Sequence, residues 1–222
     1  QVENPHTGSY AGYLNLARTD REEPLSTHSD HFVTNTAYGI GSYSKGAVFL
    51  HQLSYIIGQE NLDRGMLRYF DTWKFKHPNS NDFIRIMEKE SGLELDWYRE
   101  YFVNTTHNID YAVESAAEED GQTVITLRRL GVMPMPIDVQ VTYLDGRTEI
   151  INIPLRIMRG HKEKEATMGD ALYRVAEVDW PWTHPEYQLV LPVPSDRIEA
   201  IEIDPSDRLA DVDQANNRLE IE

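Results

Sequence analysis

Two hydrophobic periodicities divide this chain. From Tyr43 onward the apolar positions Ala47, Leu50, Leu53 and Ile57 recur at three- and four-residue steps, one face of an α-helix, and Gly58 closes the run. A second stripe follows, with Leu62, Met66, Tyr69 and Trp73 spaced four, three and four. A third helix is predicted to start near Asn79-Ser80, whose side chains can accept from free amide groups, and carries Phe83, Ile86 and Met87 before Gly92. A short fourth holds Trp97, Tyr98, Tyr101 and Phe102, which together with Trp73 form an aromatic set expected in the core. Residues 8–19 are a further helix candidate, and residues 20–42, rich in Ser, Thr, Asn, Asp and Gly, read as an irregular loop.

From about Asn108 the period changes to two. Ile137, Val139, Val141 and Tyr143 alternate with Asp138, Gln140 and Thr142. Asp145-Gly146 offers a tight hairpin turn, and Ile151 and Ile153 fall on the return strand. Further strands are predicted over 109–116, 122–130, 173–179, 187–191 and 197–203. The fold class is therefore α+β. An all-helical lobe over residues 1–106 is followed by an antiparallel β-sandwich, immunoglobulin-like, over residues 107–222. The charged run Arg159-Gly160-His161-Lys162-Glu163-Lys164-Glu165 reads as a solvated loop.

Composition narrows the function classes. A net charge of −16 argues against nucleic acid, whose phosphates such a surface would repel. No apolar run approaches the roughly 20 residues that span a bilayer. The absence of cysteine excludes disulfides and thiolate metal sites. The chain opens at Gln1 with no basic, apolar signal sequence, which reads as a cleaved or trimmed start. Compartment and oligomeric state stay open, with an exported bacterial protein as the expectation for the former.

Three segments carry a family resemblance. Tyr43-Ser44-Lys45-Gly46-Ala47 fits the pattern Tyr-x-Lys-Gly-Ala at a helix start. The run from Gly58 through Leu62, Gly65, Tyr69 and Phe70 to Asp82-Phe83 matches in order and spacing, and Ser91-Gly92-Leu93-Glu94-Leu95-Asp96-Trp97 fits Ser-Gly-x-x-Leu-x-Trp. Over residues 20–105 the chain resembles the C-terminal helical lobe of the gluzincin-type zinc aminopeptidases, the family of membrane alanyl aminopeptidase. The resemblance implies the end of a thermolysin-like catalytic domain, with a β-sandwich domain after it.

It also implies a zinc aminopeptidase as the full-length protein, acting on peptide substrates. In that family a HExxH helix and a later glutamate hold zinc, and both precede the tyrosine. Two histidines four apart share one helical face and can reach one ion. The eight histidines here include no such pair, so zinc is expected in the full-length protein, on ligands upstream of this chain, and this chain alone is expected to be inactive. Tyr43 is the implied catalytic residue, donating a hydrogen bond to the oxyanion of the scissile carbonyl. A phenol, with an ordinary pKa of about 10, keeps its proton at neutral pH. One departure is Glu23-Pro24-Leu25 where the family often has His-Pro before Ile or Leu. It keeps open a non-catalytic scaffold or a ligand-binding module as the alternative.

Three other features are weighed. His28-Ser29-Asp30-His31 clusters two imidazoles and a carboxylate but lacks metal-site spacing, and Asp204, Asp207, Asp211 and Asp213 read as turn and cap residues. Trp180-Pro181-Trp182 could stack on a sugar or peptide, although strand-end packing is the simpler reading. Gly46 inside a helix is expected to allow close approach of a neighbouring backbone, and Lys45 to form an ion pair.

Overall fold

Residues 5–221 are described by a computed structural model; Gln1, the expected processed start, lies outside the described residues. The chain divides into two compact units, Gln1–Asn108 and Ile109–Glu222. The first is helical and the second is built of two sheets. Among the described residues no helix is long and apolar enough to cross a membrane.

The helical unit comprises α1 (Thr7–Ala17), α2 (Asn35–Gly39), α3 (Gly46–Ile57), α4 (Gln59–Trp73), α5 (Ser80–Ser91) and α6 (Asp96–Asn104). Every residue of α3 from Gln52 to Ile57 is buried, so this helix is enclosed on all sides there rather than showing one apolar stripe. Ala47 and Leu50, expected in the stripe, are only half-buried. Gly58, at φ 83°, ends α3 in a conformation that favours glycine.

In α4 the buried positions are Leu62 and Gly65, while the expected core residue Met66 is exposed. Gly65 takes the inner place because Met87 Sδ of α5 lies where a side chain would go. Asn79 caps α5 by accepting from the Asn81 and Asp82 amides at 2.9 and 3.2 Å. Asp82 accepts in return from the Asn79 amide at 3.0 Å, which completes a capping box. Trp97, Tyr98 and Phe102 are buried, and the Tyr98 ring stacks on Phe49 with centroids 5.0 Å apart. Trp73 and Tyr101 are half-buried.

The second unit contains β1 (Tyr111–Glu119), β2 (Gln122–Arg129), β3 (Ile137–Tyr143), β4 (Thr148–Ile153), β5 (Leu172–Val175), β6 (Glu186–Leu191), β7 (Ile198–Ile203) and β8 (Arg218–Glu220). One sheet has the order β1-β2-β6 and the other β5-β4-β3-β7-β8. The hairpin at Asp145-Gly146 forms as expected, with Gly146 at φ 84°. The buried faces are Ile125, Leu127, Leu189 and Leu191 of the smaller sheet, and Val139, Val141, Ile151, Ile153, Ile201 and Ile203 of the larger.

Two features depart from the strands read in the sequence. β5 joins β4 in parallel, because the long connection over 154–171 carries the chain back to the end at which β4 began. The three-residue β8 pairs with β7 and is too short to leave a period-two signal.

Within the connection over 154–171, the reading of 159–165 as solvated fails at Lys162. Lys162 is 2% exposed, and its Nζ donates to Asp138 Oδ2 at 2.6 Å and to Glu165 Oε2 at 3.1 Å. Asp138 sits on the face of β3 opposite Val139, and its Oδ1 accepts from Asn152 Nδ2 at 2.8 Å. Arg208 in turn donates to both Glu165 oxygens. Lys162 of the charged run therefore reaches inward to the five-stranded sheet, while Arg159, His161, Glu163 and Lys164 stay exposed.

Candidate functional site

The tyrosine segment is built differently from a simple helix start. Thr34 Oγ1 accepts from the Ala37 amide at 3.1 Å and so caps a helix that begins eight positions before Tyr43. Helix α2 passes without a break into a π-helical segment, Ile40–Lys45, and then into α3. The Gly46 amide donates to the Gly41 carbonyl, the five-residue reach that defines a π turn. Tyr43 thus lies inside a continuous helical run that carries one inserted residue. Such insertions recur at functional positions because they turn side chains out of the regular α register.

The Tyr43 side chain points outward and is 78% exposed. Its successors are locked in place. Ser44 lies against α1, where a Cβ on Gly12 would meet Ser44 Oγ at 3.0 Å. Lys45 is buried, with Nζ donating to Glu22 Oε1 at 2.6 Å and to the Thr105 carbonyl at 3.1 Å. The same ammonium lies 5.2 Å from the Phe102 ring centroid and 5.8 Å from that of Tyr13. Burial pushes the Glu22 carboxyl up and the Lys45 ammonium down, and each partner opposes the other's shift. Burial, with the Glu22 charge added, also raises the Tyr13 hydroxyl.

Lys45 is therefore an ion-pairing residue, but an internal one. Its partner lies in the stretch read as an irregular loop. A local signal exists: Lys45, Val48 and Gln52 fall at the three- and four-residue steps of a buried face. Gly46 does not serve close approach, since nothing lies within 4 Å of where its Cβ would be. The glycines that do are Gly12 and Gly65.

Around Tyr43 the segment from 22 to 34 is ordered by specific bonds. Glu23 Oε1 accepts from the Val33 amide at 3.0 Å, and the Ser26 amide donates to the Val103 carbonyl at 3.1 Å. The Phe32 and Tyr38 rings meet edge-on at 5.5 Å. His28 and His31 are exposed in a short turn, where His28 Nδ1 accepts from the Asp30 amide at 3.2 Å. Among the described residues no three His, Cys, Asp or Glu side chains are grouped so as to hold a metal ion, so the donor set for zinc is not offered by them.

In the sheet unit, Trp180 is 1% exposed, stacks on Tyr187 at 5.1 Å and donates its Nε1 hydrogen to the His184 carbonyl at 2.9 Å. It is a packing residue and cannot stack on a ligand; Trp182 is half-buried. Asp204 accepts from Ser206 Oγ and the Leu209 amide, and Asp211 from the Tyr111 and Asp213 amides, so both act as turn residues. A groove beside β6 of about 850 Å³ is lined by Tyr143, Arg147, Glu149, Arg174 and Val190. Its guanidinium groups are already engaged, Arg174 with Glu149 at 2.6 Å and Arg147 with Asp145 at 2.8 Å.

Residues 7–102 match the family described as Peptidase family M1 domain. Aminopeptidase N of Escherichia coli (strain K12) is 26% identical over 93 residues, which is 42% of this chain and 11% of that protein. A solved structure, Legionella pneumophila aminopeptidase A in complex with aspartic acid, is similar in fold. Its TM-score is 0.51 at 14% identity, over 86% of this chain and 20% of that one. The chain spans about a tenth to a fifth of the length of these relatives.

Proposed function

We propose that the full-length protein is a zinc aminopeptidase to which this chain contributes Tyr43, a reading supported by the match of residues 7–102 to the peptidase family M1 domain. The relatives named above are aminopeptidases. Zinc, on ligands outside this chain, supplies an activated water. The role of this chain is to hold a phenolic donor where the carbonyl oxygen of the scissile bond gains charge. Such a donor acts only if it is accessible and fixed, since its worth lies in being aimed before the charge develops.

The observation that carries this reading is the exposure of Tyr43, at 78%, on a segment whose next two residues are packed or buried. A structural tyrosine of this size is usually at least partly buried. In this reading the nucleophile is generated on groups outside this chain, which by itself would be inactive.

The test uses the longer protein, assayed on aminoacyl substrates with and without a chelator. Tyr43→Phe lowers kcat on the order of 100- to 1000-fold, with the fold intact by circular dichroism. Undiminished turnover in the phenylalanine form rejects the role. A longer protein that is inert before any substitution favours the non-catalytic scaffold suggested by Glu23 in place of histidine.

A further inference from the structure

We propose that the buried Lys45–Glu22 pair is a positioning device for Tyr43, clamping the π-helical segment from the side opposite the phenol. The inference rests on the reading of Tyr43 as the donor. Lys45 follows Tyr43 by two residues, and residues two apart on a helix point to opposite sides. The burial follows that geometry, with Lys45 at 1% exposure and Tyr43 at 78%.

As a source of stability the pair is poorly arranged. Removing an ammonium and a carboxylate from water costs several kcal/mol for each ion, and apolar side chains of similar volume are often as stable. Glu22 Oε2 is moreover buried with no hydrogen-bond partner. The pair does supply constraint from several directions. Glu22 lies on the stretch after α1, Thr105 follows the end of α6, and the rings of Tyr13 and Phe102 stand on α1 and α6. One ammonium thus ties the π segment to three surrounding elements, and Gly12 against Ser44 adds a steric stop. A methionine of similar length would fill the space and supply none of the directed bonds.

An inserted helical residue needs such an anchor, because the same chain could relax to the regular α register and turn Tyr43 by about a quarter turn. A donor that must sit within roughly 2.7–3.1 Å of its target loses most of its effect if displaced by about an ångström.

The experiment is a double-mutant cycle in the longer protein with Tyr43→Phe, Lys45→Met and both together. Lys45→Met lowers kcat roughly tenfold to a hundredfold with KM little changed. In the phenylalanine background the same substitution changes kcat less than about twofold, because the group it positions is gone. Equal losses in both backgrounds, or unchanged kcat in Lys45→Met, overturn the proposal. If Lys45→Met does not fold, Glu22→Gln, which keeps an acceptor of the same shape, decides by the same comparison. Full activity of Tyr43→Phe instead removes the donor reading, and the clamp with it, an outcome distinct from failure of the clamp alone.

Discussion

Replacing Asp138 by alanine tests the interior placement of Lys162. The pair is 2.6 Å apart, with side chains 2% and 1% exposed, and Asn152 donates to the other carboxylate oxygen. Removing one partner of a buried pair leaves an uncompensated charge and costs about 3–5 kcal/mol. Glu165, at 3.1 Å from Lys162 Nζ, retains part of the compensation, which sets the expected loss near the lower end, about 3 kcal/mol. A pair on a solvated loop would be worth only about 0–1 kcal/mol. The two placements therefore differ by more than experimental error. The assay is native-state hydrogen exchange on the amides of β3 and β4 in the whole chain, which isolates the sheet unit from the helical one. Asp138→Ala/Lys162→Met should recover a large part of the loss, because no lone charge remains. A loss below 1 kcal/mol, or a double variant as weak as the single, refutes the reasoning.

Further outcomes follow from burial. Burial raises the Asp204 carboxyl to about 7 despite its bonds from Ser206 and Leu209. The folded chain then binds that proton more tightly than the unfolded one. Its contribution to stability is complete below about pH 4 and falls as pH rises to about 7, by up to about 1.4 kcal/mol per pH unit. Subtracting the profile of Asp204→Asn from that of the parent in urea titrations isolates this slope; parallel profiles contradict it. Gly65→Ala forces Met87 to move and should cost about 1–3 kcal/mol. Gly46→Ala, with open space around it, should stabilise by about 0.5–1 kcal/mol, and opposite shifts in melting temperature check the pair.

The helices and most strands were legible because they follow from local periodicity. The Asn79 cap, the Gly58 and Gly92 stops and the Asp145-Gly146 turn each act through neighbours a few residues away. β8 escaped because three residues cannot display a period. The core of α4 was misassigned at Met66 because a glycine gives no apolar signal, although Gly65 is the residue that faces α5. At the candidate site, Tyr43 stood out through the segment around it, whereas the π insertion did not, since the i→i+5 bond leaves no compositional mark.

What the amino-acid order settled by itself was the kind of most elements and the change from helix to sheet near Asn108. What only the folded chain decided was the partner of each charge. Lys45 was expected to form an ion pair and Lys162 to lie in a solvated loop, and the sequence named a partner for neither. Their carboxylates come from 23 and 24 residues away, at Glu22 and Asp138. Local pattern reports the face a residue occupies, but burial of a charge depends on which distant element closes over that face, and that is a property of tertiary packing alone.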